Sequence, residues 1–185
     1  MVKIRNLSFS FGDKVIFDGF SLDIPHKSVT AITGKSGSGK STLINLICGL
    51  LKADKGEIVS KAEKYAVVFQ EDRLLPWLTV RENVSIVSDE EAADFLLKQV
   101  GLYESRDLYP AQLSGGMKRR TALARALAYG GDVLILDEAF NGVDEETKSV
   151  LMDIIKEQAK EKAVILISHN SDEIQRLADK IYSLD

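Results

Sequence analysis

Cysteine is all but missing from this chain: Cys48 stands alone, so no disulfide can close within it. Its neighbours Leu43, Leu46, Ile47 and Leu50 have helical spacing, which predicts a small packed side chain rather than a reactive thiol. A surplus of positive charge is missing as well. The 24 Lys and Arg against 28 Asp and Glu give a net charge of −4, which argues against a nucleic-acid partner and against binding to acidic membrane surfaces. Long apolar runs are also lacking; Val133 to Leu136 is typical, whereas a bilayer-spanning helix needs about 20 residues. The start, Met1-Val2-Lys3-Ile4-Arg5, leads straight into strand-like alternation and shows no signal-peptide pattern. Internal repeats and low-complexity tracts are absent. A cytosolic chain, or the cytosolic part of something larger, is expected.

Apolar material for a core is present, since 45% of the 185 residues are hydrophobic. That suits one domain over residues 1–185, with room for an inserted subdomain.

The stretch Gly34-Lys35-Ser36-Gly37-Ser38-Gly39-Lys40-Ser41-Thr42 has the form G-x-x-x-x-G-K-[ST]. The β-type run Val29 to Thr33 precedes it and an amphipathic stretch follows, the strand–loop–helix setting that a phosphate-binding P-loop requires. Glycines at 34, 37 and 39 free the backbone to turn successive N–H groups toward phosphate oxygens. The helix opening near Lys40 adds the positive end of its dipole. Lys40 brings a point charge for the β- and γ-phosphates, and Ser41 a hydroxyl for Mg2+.

Elsewhere the periodicity alternates between strand and helix. Residues 2–24 read as an antiparallel hairpin region turning at Gly12-Asp13, with Pro25-His26-Lys27 breaking the pattern. Glu57 to Ser60 is a short strand, and Tyr65 to Phe69 a buried one ending in Gln70. Residues of about 71 to 115 form a mostly helical insertion, in which Thr79-Val80-Arg81-Glu82 and Ser88-Asp89-Glu90-Glu91 both read as capping boxes. Then come a helix from Ser114 to Gly130-Gly131, a strand over Val133 to Leu136 and a helix from about Asp144 to Lys160, with Val150, Leu151, Ile154 and Ile155 inward. A strand over Ala163 to Ile167, a helix with Ile174, Leu177 and Ala178, and a strand at Ile181 to Leu184 end the chain. The alternation implies parallel β/α packing.

The strand ending at Leu136 delivers two carboxylates, Asp137 and Glu138. Such strands end at the ligand crevice, so both acids should emerge beside the P-loop. Asp137 suits holding Mg2+ through water; Glu138 suits orienting and deprotonating an attacking water. A second candidate cradle is Leu113-Ser114-Gly115-Gly116-Met117, where Ser114 is a natural N-cap and Gly115 and Gly116 permit close backbone approach.

With this last stretch the chain resembles the ATP-binding-cassette (ABC) ATPases, whose signature is LSGGQ. Met117 replaces the final Gln, a change familiar in a subset of importer ATPases. The resemblance covers essentially the whole chain. It implies an α/β fold, a P-loop NTPase of ABC type, with a mainly parallel core sheet, an N-terminal antiparallel β subdomain and the inserted helical subdomain. It also implies an ATPase that uses ATP and Mg2+. Phe11 matches the aromatic that stacks on adenine, although it also keeps phase with Phe9 as a core strand residue would. Gln70 matches the Q-loop glutamine that touches Mg2+ or water, and His169 the switch histidine that contacts the γ-phosphate. Asn141-Gly142-Val143-Asp144 matches the D-loop at Asp144, while Ala139 stands where a proline is usual.

In that family the active unit is a head-to-tail dimer, in which Ser114 and Gly116 of one copy would close over ATP on the other copy's P-loop. The second copy would be this chain again or a paralogous ATPase. Transport would need a transmembrane permease subunit, holding the chain on the inner face of the cell membrane, and an importer can add a solute-binding protein. Leu74 to Val84, with Trp77, is similar to the corresponding region of ATPases that import nitrate, sulfonate, taurine and similar solutes; Trp77 could line the permease groove or pack internally. The end at Asp185 suggests a minimal motor without a regulatory module. Two other readings are a soluble ABC-type ATPase acting as a switch on a non-transport partner, and a small-molecule kinase. The kinase leaves the Ser114 stretch and His169 without a use. The switch class generally carries two cassettes or a long coiled coil, and neither is here.

Overall fold

The computed structural model describes residues 1–185. Strand β1 (Val2–Phe11) pairs antiparallel with β2 (Lys14–Ile24) across the Gly12-Asp13 turn. Val2, Ile4, Leu7 and Phe9 of β1 face inward. The next strand, β3 (Ser28–Thr33), leads through the glycine loop into helix α1 (Lys40–Ile47), after which β4 (Lys55–Ser60) returns to the free side of β1. The hairpin expected for residues 2–24 is therefore part of a three-stranded antiparallel sheet, ordered β2-β1-β4.

Strand β5 (Tyr65–Val68) lies at the edge of a second sheet, to which β3 also belongs, and is followed by the helical segment, with α2 (Val80–Ser85), α3 (Glu90–Gln99) and α4 (Gly115–Tyr129). The chain then alternates through β6 (Val133–Asp137), α5 (Glu145–Ala159), β7 (Ala163–Ile167), α6 (Ser171–Leu177) and β8 (Lys180–Ser183). This sheet has the order β5-β6-β7-β3-β8, and every pairing in it is parallel. Both faces are covered. Val133 and Ile135 join the core shared with β1, β2 and α1, while Leu134 and Leu136 join the core of α4 and α5. Burial on both sides explains why β6 and β7 are unbroken apolar runs rather than alternating ones.

Local chemistry ends the helices largely where the side chains predict. Thr79 and Glu82 form the expected capping box on α2. At α3 the cap is Asp89, whose carboxylate accepts from Ala92 N at 2.7 Å; Ser88 instead donates to the carbonyls of Val84 and Asp89, so the second expected box does not form. Val150 is half exposed, and Lys148, Leu151, Met152 and Ile155 form the inner face of α5. Leu50 likewise lies outside, because α1 stops at Ile47.

Asn83 is fully buried and completely paired. It accepts from Leu75 N at 2.8 Å and donates to the carbonyls of Leu75, Leu78 and Thr79. This fixes the loop before α2 with Trp77 on its outside, 69% exposed, which removes Trp77 from the internal packing of the helical segment.

Candidate active site

The strand order gathers the site at the C-terminal edge of the parallel sheet. There β3 delivers the P-loop, β7 delivers Ser168 and His169, β6 delivers Asp137 and Glu138, and β5 delivers Gln70. A cavity of about 620 Å3 opens at this edge, a size suited to a nucleotide. It is lined by Ser36, Gly37, Gly39, Lys40, Ser41 and Thr42 of the loop, together with Phe11, Gln70, Asp137, Glu138 and His169. Lys14, Ile16 and Asn141 complete the lining; residue type gave no signal for Lys14 and Ile16, and Asn141 entered only with the D-loop stretch.

Close approach decides the glycine at 39. Its φ is +99°, and a Cβ there would lie 2.7 Å from Ile16 Cγ2. Within the loop Lys40 Nζ donates to Gly34 O at 2.6 Å and Lys35 O at 2.8 Å, which holds the ammonium at the mouth of the cradle. Gly34, Lys35 and Ser38 do not line the cavity; the first two hold Lys40 and Ser38 is packed behind, its Oγ buried without a partner.

The two acids differ in setting. Asp137 is buried, and burial first, then the Glu138 charge, pushes its carboxyl above the usual carboxylate range, while Lys40, Arg119 and His169 pull it back. Glu138 has a φ of +53°, in the left-handed region that a non-glycine residue enters at a cost of about 1–2 kcal/mol. The turn is held by Glu138 N donating to Ile167 O at 3.0 Å and Asn141 N donating to Glu138 O at 3.2 Å. Its carboxylate accepts from Asn141 Nδ2 at 3.2 Å on one oxygen, and His169 Nε2 lies 3.5 Å from the other. Behind His169, the buried Ser168 hydroxyl donates to Glu173 at 2.6 Å and accepts from Asn170 N at 3.0 Å, which secures the turn.

Ser41, Gln70 and Asp137 share a smaller adjoining space of about 180 Å3. A hydroxyl, an amide and a buried carboxylate offer the hard oxygen donors that Mg2+ takes together with water and phosphate, so these residues fit that ion.

Ser114, Gly115, Gly116 and Asp144 do not line the nucleotide cavity. Ser114 caps α4 by accepting from Met117 N, and Asp144 caps α5 by accepting from Thr147 N at 2.9 Å. A Cβ on Gly116 would lie 2.6 Å from Gly142 O, so the signature and the D-loop share one surface beside the site.

This sheet order, cradle and pair of strand-end acids define a P-loop nucleoside triphosphatase. Residues 17–141 match the family model described as ABC transporter. Curated relatives include the aliphatic sulfonates import ATP-binding protein SsuB 2 of Rhizobium johnstonii, 40% identical over 100% of this chain and 77% of its own length. SsuB 1 of Paracoccus denitrificans is 37% identical over 99% of this chain and 78% of its own. Among solved structures, the dimeric ATP-binding cassette MJ0796 in a post-hydrolysis state with ADP and Pi superposes with a TM-score of 0.91 at 28% identity, over 100% of this chain and 94% of that one. The chain belongs to the ABC transporter family and is an ATP-binding, ATP-hydrolysing member of it.

Proposed function

We propose that this chain is the motor subunit of an importer for small solutes, working as an ATP-dependent head-to-tail dimer docked on a transmembrane permease. The observation that carries the reading is the convergence of Lys40, Asp137, Glu138, Gln70 and His169 on one cavity, while Ser114 and Gly116 stand outside its lining, Gly116 against Gly142 of the D-loop. A signature outside its own chain's cavity is free to complete the site of a second copy. Residues 1–185 act as one ABC ATPase domain, with the helical subdomain inserted at about 71–115.

In this reading Phe11, half exposed at the cavity rim and edge-on to Phe9, stacks on the base. The backbone from Ser36 to Thr42 binds phosphates, and the Lys40 ammonium exchanges its carbonyl partners for phosphate oxygens. Ser41, Gln70 and Asp137 hold Mg2+, which when bound offsets charge on the β- and γ-phosphates. Glu138 orients the attacking water and takes its proton, and His169 contacts the γ-phosphate while facing Glu138. Ser114, Gly115 and Gly116 close over the nucleotide of the partner copy, and Asp144 crosses the same interface. ATP is thus part of the interface, and its hydrolysis releases the two copies.

The permease seat is the groove of about 530 Å3 lined by Leu50, Tyr65, Val67, Phe69, Arg73 and Arg125. Trp77 is exposed but does not line this groove. No helix is long and apolar enough to cross a membrane, so the permease supplies the attachment to the inner face of the membrane. The relatives named as aliphatic sulfonate import proteins support import of a small solute, selected by the permease and any solute-binding protein.

Purification of the tagged chain from detergent-solubilised membranes tests this. A polytopic membrane protein in fixed ratio is expected, with a solute-binding protein marking import. Recovery with only soluble partners would overturn the transporter reading.

A further inference from the structure

Arg119 lies inside α4 with its side chain 9% exposed, its two terminal nitrogens engaged and its Nε buried without a partner. Its partners are not another helix but the loop after β5. Nη1 donates to Phe69 O at 2.7 Å, Nη2 donates to Gln70 O at 2.6 Å, and Nη1 stands 3.2 Å from Asp72 Oδ1. The planar fork thus spans two consecutive carbonyls from two nitrogens held in fixed geometry, whereas an ammonium would have to reach both from a single atom. Arg125, further along α4, donates to Asp72 O at 3.1 Å and Arg73 O at 3.0 Å.

No regular element holds this stretch, because β5 ends at Val68 and α2 begins at Val80. Its first half, Phe69 to Arg73, hangs on α4, and its second half is held by Asn83 of α2. The Gln70 side chain reaches both the phosphate cavity and the adjoining space it shares with Ser41 and Asp137. The N-terminus of α4, capped by Ser114, is the signature. One rigid helix therefore carries the signature at its start and the clamp on the Gln70 peptide inside its second turn.

We propose that Arg119 is a positioning residue: it sets the Gln70 peptide at the metal end of the site and makes that setting move with the signature helix. This rests on the reading of Gln70 and Asp137 as metal-facing groups. Closure of a partner's nucleotide on the Ser114 end of α4 then displaces the Gln70 carbonyl directly, with no other element between them.

The test uses the full chain with Mn2+ as the metal and a non-hydrolysable ATP analogue as the nucleotide, with Mn2+ affinity read by electron paramagnetic resonance. Arg119→Lys and Arg119→Gln are preferred to Ala because each keeps a donor for one carbonyl. Both are expected to weaken Mn2+ binding about tenfold and to lower kcat for MgATP about tenfold, leaving analogue affinity in EDTA within about twofold. Because Arg119 acts through Gln70, adding Arg119→Lys to Gln70→Ala brings no further loss of Mn2+ affinity. Unchanged Mn2+ affinity in both Arg119 variants, or losses that add in full to that of Gln70→Ala, would overturn the proposal while leaving the metal reading intact. If Gln70→Ala itself leaves Mn2+ affinity unchanged, the reading of Gln70 falls and the Arg119 role falls with it.

Discussion

His169 Nε2 and Glu138 Oε1 lie 3.5 Å apart at the ends of the adjacent parallel strands β7 and β6. The two groups occupy one wall of the nucleotide cavity, and Asn141 donates to the other carboxylate oxygen at 3.2 Å. Loss of the imidazole leaves Glu138 held from one side only. His169→Ala is therefore expected to lower single-turnover hydrolysis by at least about 100-fold while ATP affinity stays within about threefold. A variant that hydrolyses normally would remove His169 from the reaction.

Lys40 is already tied to the P-loop backbone, where Gly34 O and Lys35 O accept from it. Exchange of those partners for phosphate makes charge-assisted bonds of about 1.5–3 kcal/mol. Lys40→Ala should weaken ATP binding by about 10- to 100-fold, measured by equilibrium titration without metal. Unchanged affinity would count against the phosphate cradle.

Asn83 joins four hydrogen bonds to the backbone of Leu75, Leu78 and Thr79 without any exposure to solvent. Asn83→Ala strands buried donors and acceptors at a cost of about 2–3 kcal/mol, or about 5–10 °C in melting temperature. The same variant should loosen the loop carrying Trp77, visible as a shift in its fluorescence. A melting temperature equal to the wild type would show that water replaces the amide.

Burial pushes the Cys48 thiol up to about 11. Its thiolate fraction at pH 8 is then about 0.1%, against about a quarter for a free thiol. Iodoacetamide should react about 250-fold more slowly than with free cysteine at that pH, and the rate should climb through pH 10 without a plateau. Denaturant should restore the ordinary rate, and a plateau near pH 9 in the folded protein would contradict the burial.

The P-loop, the β6 acids and the β/α alternation were legible because each rests on a local pattern: Gly39-Lys40-Ser41, an apolar run ending in Asp137-Glu138, and period changes between neighbouring segments. The caps at Thr79 and Ser114 were legible for the same reason. Asp89 displaced Ser88 as the cap of α3 because two adjacent residues could each supply the acceptor, and only the backbone entry angle decides. Arg119 and Asn83 were not legible, and Asn141 was legible only as part of the D-loop stretch, not as a partner of Glu138. Their roles come from partners distant in sequence, as between Arg119 and Phe69, or from a turn shape that composition does not encode. Arg119 in particular reads in sequence as one cation in the run Lys118-Arg119-Arg120, with nothing to mark it as the buried one.

The account turns on Glu138 as the base of a dimer held together by ATP. Glu138→Gln keeps the shape of the side chain and removes its basicity, so it separates binding from hydrolysis. Light scattering of this variant on a sizing column, with and without saturating ATP and Mg2+, and a parallel phosphate-release assay test both halves together. The predicted result is a monomer without ATP, a dimer with it, and hydrolysis reduced by at least about 100-fold. A variant that releases phosphate at the wild-type rate, or that stays monomeric with ATP bound, would contradict the account.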